Sequence, residues 1–115
     1  MPELSEPLVR FLEARIEEDE IVARFVQRQS PTNDVVFATW ATPFFSDPDR
    51  MVLAIDYQRV LGECAAKRRI IDAYLEVRDH DSPHYTAAAD YMESVLLELA
   101  AVHSTHPDYR SEWAP

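Results

Sequence analysis

Val35-Val36-Phe37-Ala38-Thr39-Trp40-Ala41 is a β-branched and aromatic run, the composition of a strand rather than a helix. Downstream, Met51-Val52-Leu53-Ala54-Ile55 is short and wholly apolar and predicts a second strand. Between them Thr42-Pro43-Phe44-Phe45 is ambiguous, and Ser46-Asp47-Pro48-Asp49-Arg50 reads as a turn with a proline-set backbone angle. The pair predicts a β-hairpin. Alone in water such a hairpin is marginally stable, so it has to lie on helices or pair with another chain. The first strand is apolar on both faces, Val36, Ala38 and Trp40 on one and Val35, Phe37 and Ala41 on the other. It has no lysine, glycine or inward charge to blunt its edge. That predicts a two-fold homodimer, unless the C-terminal tail covers the hairpin within one chain.

Working outward, Leu4, Leu8, Phe11, Leu12, Ile16, Val22, Phe25 and Val26 recur at helical spacing and predict a helix from Ser5 to about Gln29. Ser5 is placed to cap it, and Pro7 is tolerated in its first turn. Asp56 looks like the N-cap of a second helix to about Val77, with Val60, Leu61, Cys64, Ile71, Tyr74 and Leu75 as its apolar stripe. Gly62 weakens that helix by about 1 kcal/mol relative to alanine unless another element packs closely there. Ser82-Pro83 supplies a cap and a first-position proline for a third helix to about His103. Its stripe is Tyr85, Ala88, Ala89, Met92, Val95, Leu96, Leu99 and Val102. His106 to Pro115 reads as a non-helical tail. The fold class expected is α+β, mainly α: three helices, a small hairpin between the first and second, and a tail on the outside, all in a single domain spanning 1–115.

Bulk properties narrow the function classes. The formal charge is −10, from 21 acidic against 11 basic residues, too few cations to displace counterions from duplex DNA. Direct nucleic-acid binding and docking to an anionic membrane are both disfavoured. The single cysteine, Cys64, makes no internal disulfide. The opening Met1-Pro2-Glu3-Leu4-Ser5-Glu6 has no apolar core, and no run approaches the ~20 residues of a membrane span. A cytoplasmic location is expected.

The ending His106-Pro107-Asp108-Tyr109-Arg110-Ser111-Glu112-Trp113 resembles the closing signature of a family of small actinobacterial and actinophage proteins of unknown function. Ala66-Lys67-Arg68-Arg69-Ile70-Ile71-Asp72, preceded by Val60-Leu61, is similar to that family's central helix. Leu8-Val9, Phe11-Leu12 and Glu17-Glu18-Asp19-Glu20-Ile21-Val22-Ala23-Arg24 fit its opening. The resemblance spans nearly the whole chain and implies no established activity. It also implies a paired-cysteine segment, suggestive of zinc, in many relatives. This sequence has no cysteine from Val77 to Met92, so a metal role does not transfer.

Individual residues point the same way. Cys64 stands mid-helix on an apolar stripe, where a thiol is ordinarily an inert small hydrophobe. His80 and His84 are four apart, a spacing that suits zinc on a continuous helix, but Pro83 falls between them. They are the weak metal candidates. Glu17-Glu18-Asp19-Glu20 and Lys67-Arg68-Arg69 fan around a helix axis instead of converging. One glycine in the chain excludes Gly-rich phosphate loops. No catalytic residue and no cofactor is indicated. The large aromatics Trp40, Tyr109 and Trp113 are the candidate interaction residues. The function expected is a non-enzymatic protein-interaction or accessory module with an unidentified protein partner. The alternatives are an acidic nucleic-acid mimic that inhibits a DNA-binding protein, and a metal-dependent hydrolase.

Overall fold

The computed structural model describes residues 2–29, 35–40, 51–80 and 82–115, with the backbone alone for 2–4, 29, 35–40 and 51–55. Elements follow in the order α1 (Pro2–Gln29), β1 (Val35–Trp40), β2 (Met51–Asp56), α2 (Tyr57–Arg78), a 3₁₀ turn (Pro83–Tyr85), α3 (Thr86–Ala101) and a second 3₁₀ turn (Ser111–Trp113). The chain divides into two compact units, one of residues 1–17 and 65–115, the other of residues 18–64.

In the first unit the start of α1 buries Leu8, Val9, Phe11, Leu12 and Ile16. Ile71 and Tyr74 of α2, Leu96 and Ala100 of α3, and Trp113 of the tail are buried with them in that unit. Each large apolar side chain of this kind is worth about 1.5–3 kcal/mol when taken fully out of water. The second unit has a smaller core of Ala23, Val26 and Tyr57, with Val60 and Leu61 packed against it. Cys64 is buried in this unit as the stripe implied.

The α+β class is corrected to all-α. β1 and β2 run antiparallel, with Val35 opposite Asp56 and Trp40 opposite Met51. The buried residues described lie on the helices and in the tail. Two short strands are too few to form a layer with a face of its own, so helices alone set the architecture. The strand side chains on which the two-fold dimer was argued lie outside the described residues, as does the turn at 46–50.

Local chemistry explains the helix bounds. The Arg59 amide donates to Asp56 Oδ1 at 3.1 Å, the N-cap bond that starts α2. Gly62 has open space where a Cβ would sit, so close packing is not its reason for being there. Ser5 does not cap α1, which begins at Pro2; its side chain is fully buried inside the helix. Pro83 begins a 3₁₀ turn instead of the third helix itself, with the His84 amide donating to Ser82 Oγ at 3.3 Å. The tail is not wholly irregular either, since Ser111–Trp113 forms a 3₁₀ turn. Along α1, Val22 and Phe25 are more than half exposed where the periodicity had placed them in a core.

Candidate functional site

The tail closes on the first unit through rings. Successive amides turn back on carbonyls three residues earlier: His106 on His103 at 2.9 Å, Tyr109 on His106 at 3.0 Å, Trp113 on Arg110 at 3.0 Å. This coiling brings His103, His106, Tyr109 and Trp113 around Phe11 of α1, with centroid separations of 6.1, 5.7, 6.0 and 5.1 Å. Tilted and edge-on geometries of this kind add about 0.5–1.5 kcal/mol per pair beyond area burial. Arg15, itself buried, donates from Nη1 to His106 Nδ1 at 2.7 Å and also meets Nε2 of the same ring. The Asp108 amide donates to His106 Nδ1 at 3.0 Å. Two of the three candidate interaction residues are thus placed: Trp113 is buried and Tyr109 half-buried within their own chain. The side chain of Trp40 lies outside the described residues.

Around Ser5 the same unit holds a polar network that the sequence reading missed. Arg78, at the end of α2, donates from Nη1 to Ser5 Oγ at 3.2 Å and to Glu6 Oε1 at 2.7 Å, and from Nε to Asp79 Oδ1 at 2.9 Å. The Tyr74 hydroxyl donates to Glu93 Oε2 at 3.3 Å. Burial pushes the Tyr74 phenol above its ordinary range; the Ser5 hydrogen bond opposes this and the Glu93 carboxylate adds to it. Its hydrogen bond to Asp79, and secondarily that to Glu6, raises the Arg78 guanidinium further. A cavity of about 210 Å³ opens beside this network. Ser5 accepts from the Arg78 guanidinium there, which ties the start of α1 to the end of α2.

His80 and His84 are not brought together on one helix. The His80 ring stacks on Tyr85 at 4.0 Å, and its Nδ1 accepts from the Ser82 amide at 3.1 Å. His84 is exposed in the 3₁₀ turn. Among the described residues no three His, Cys, Asp or Glu side chains converge as a metal site. In the basic run, Lys67 and Arg68 are half-buried and Arg69 exposed, and Arg68 lines a small concavity with Glu13, Ile71 and Asp72.

α3 carries the feature that a single-stripe reading could not resolve. Its expected stripe splits into an inner face, with Leu96 buried and Ala89, Met92 and Leu99 half-buried beside the buried Ala100, and an outer face. Tyr91, Val95 and Val102 stand on the outer face at 81%, 45% and 76% exposure. Spacings of four and seven residues align these three along one side of the helix, with the exposed Ala88 in the same row. Asp90, Glu93 and Glu98 are the charged residues of Thr86–Ala101, which has no lysine or arginine. Leu96 lies on the expected stripe, as its i, i+4 relation to Met92 and Ala100 implies, and Tyr91 does not; Val95 and Val102 were counted on that stripe and remain outside.

No described helix is long and apolar enough to cross a membrane. No curated protein and no solved structure matches the chain. Residues 5–115 match the family of unknown function DUF6221, and over that span, which takes in both units and the docked tail, the chain belongs to that family.

Proposed function

We propose that this protein is a non-enzymatic interaction module whose single domain, 1–115, presents the outer face of α3 to a protein partner. The observation that supports this most is the row of Tyr91, Val95 and Val102, large apolar side chains left largely open to water along one helix face. Scattered apolar residues on a surface are ordinary, but an aligned row on one helix is the feature a partner buries. The charge around it selects the partner's chemistry. Glu98 borders the row on a helix without any cation, in a chain of net charge −10. A second copy docked there would set acid against acid. A basic amphipathic helix, apolar along one side and lysine- or arginine-bearing along its flanks, complements both the row and its border. An accessory or regulatory role in an actinobacterial or phage system fits such a module.

The test is binding of a fluorescein-labelled leucine–lysine amphipathic helix followed by anisotropy. Saturable binding that the double variant Tyr91→Ser, Val102→Ser weakens at least about tenfold supports the reading, since each anchor contributes on the order of 1 kcal/mol or more. Binding that the double variant leaves unchanged, or no binding, removes it.

A further inference from the structure

A second concavity, between α1 and the docked tail, has a different chemistry from the α3 face. It encloses about 460 Å³ and is lined by Arg10 and Arg15 of α1, Asp108 and Arg110 of the tail, and the rings of Phe11 and Trp113. That volume lies within the range of small-molecule sites, roughly 300–1,000 Å³. Three of the chain's 11 basic residues meet there, in a molecule whose overall field repels anions.

Two of the three guanidinium groups are held in place by rings. Arg15 is 8% exposed, its Cζ 5.0 Å over the centre of Phe11 and its Nη1 on the His106 ring. Arg110 stands over Trp113 at 5.7 Å. Its own acid, Glu112, is 3.5 Å away with both side chains about half exposed, a pair weak enough for a ligand to displace. Arg10 is exposed and has no ion-pair partner among the described residues. Guanidinium forks match carboxylate and phosphate oxygens in pairs, and groups already fixed lose little freedom on binding. Beneath them Phe11 and Trp113, with centroids 5.1 Å apart, supply an apolar aromatic floor. Asp108 is the one carboxylate among the described lining residues, placed to accept from a hydroxyl or amino group.

We propose that this cleft binds a small organic anion: a phosphate or carboxylate, gripped by Arg10, Arg15 and Arg110, on a body that rests against Phe11 and Trp113. The site is independent of the α3 face.

The experiment titrates the ¹⁵N-labelled full chain at low ionic strength with adenosine monophosphate, citrate and inorganic phosphate, following the Trp113 indole resonance. At least one organic anion should shift that resonance saturably, and more tightly than inorganic phosphate. Arg10→Ala and Arg110→Ala, both at exposed positions, should each weaken it about tenfold, the loss expected of one charge-assisted contact. Arg59→Ala, at an exposed residue of the other unit paired with Glu63, should leave it unchanged. Circular dichroism of each variant confirms an intact fold. Absence of saturation up to about 10 mM, where even millimolar affinity would show, overturns the proposal. Saturation indifferent to both arginine variants, or equal for inorganic phosphate and the two organic anions, overturns it as well.

Discussion

The C-terminal tail and the outer face of α3 belong to the same unit and both carry large apolar side chains, yet the tail is closed against its own chain while the α3 face stays open. Tyr109 and Trp113 stand four apart in the tail, the spacing of a pair of anchor residues, but Phe11 on α1 supplies a centre on which four rings converge. Tyr91 and Val102, less conspicuous in the sequence, have no such centre among the described residues and are 81% and 76% exposed. Size and aromaticity do not by themselves pick out an interface. What decides is whether the chain contains a complementary surface for the side chain, and that is a property of the tertiary structure.

The sharpest break between the two regions is expected at Trp113. Trp113→Ala should lower the unfolding free energy by about 3–5 kcal/mol, the cost of removing a buried tryptophan from a packed site. Chemical denaturation monitored by circular dichroism measures it. A loss below about 1 kcal/mol would show that the tail is a detachable cover and not part of the core.

The same contrast explains how far the sequence could be read. Helix-period patterning located α1, α2 and α3, and Asp56 announced its capping role, because these depend on residues a few positions apart. The strand expected from Val35 to Ala41 forms, as Val35–Trp40 paired with Met51–Asp56, yet it misled on fold class: β-branched content describes a local backbone preference, whereas class depends on which elements set the architecture. Ser5 misled for a related reason. A serine beside Pro7 has the chemistry of a cap, and only the arrival of Arg78, 73 residues away in sequence, turns it into an interior hydrogen-bond acceptor. The candidate sites followed the same rule. His80 and His84 were separable by the intervening proline, but the arginine cleft draws on positions from Arg10 to Arg110, and no local spacing connects them.

A smaller effect, with a pH signature, is expected at Tyr74. Tyr74→Phe should cost about 1 kcal/mol near neutrality through loss of the hydroxyl bond to Glu93. Its folded-state pKa is raised above the ordinary value of 10.0, chiefly by burial. Below that value the phenol is protonated in both states and its contribution is fully present. As pH rises past it the unfolded chain releases the proton first, so stability falls until the folded-state value is passed. Thermal melts from about pH 9 upward should therefore show a decline that Tyr74→Phe makes shallower. Identical slopes for the two proteins would mean that the buried network does not feel the phenol's charge.

The smallest effect on stability is expected where the proposed function sits. Tyr91→Ser with Val102→Ser removes two large apolar side chains, as Trp113→Ala removes one, but here the side chains already face water in the folded state. Unfolding exposes little additional area at either position, so the transfer contribution that dominates at Trp113 is nearly absent. What remains is helix propensity: serine is close to tyrosine and valine in an exposed helix interior, and Val102 lies just past the last helical residue. The double variant should thus unfold within about 0.5 kcal/mol of the parent by the same denaturation measurement. A loss of 2 kcal/mol or more, on the order of that for a buried side chain, would show that the outer face of α3 is covered in the free protein. The contrast between a closed tail and an open helix would then fail, and with it the reason for assigning that face to a partner.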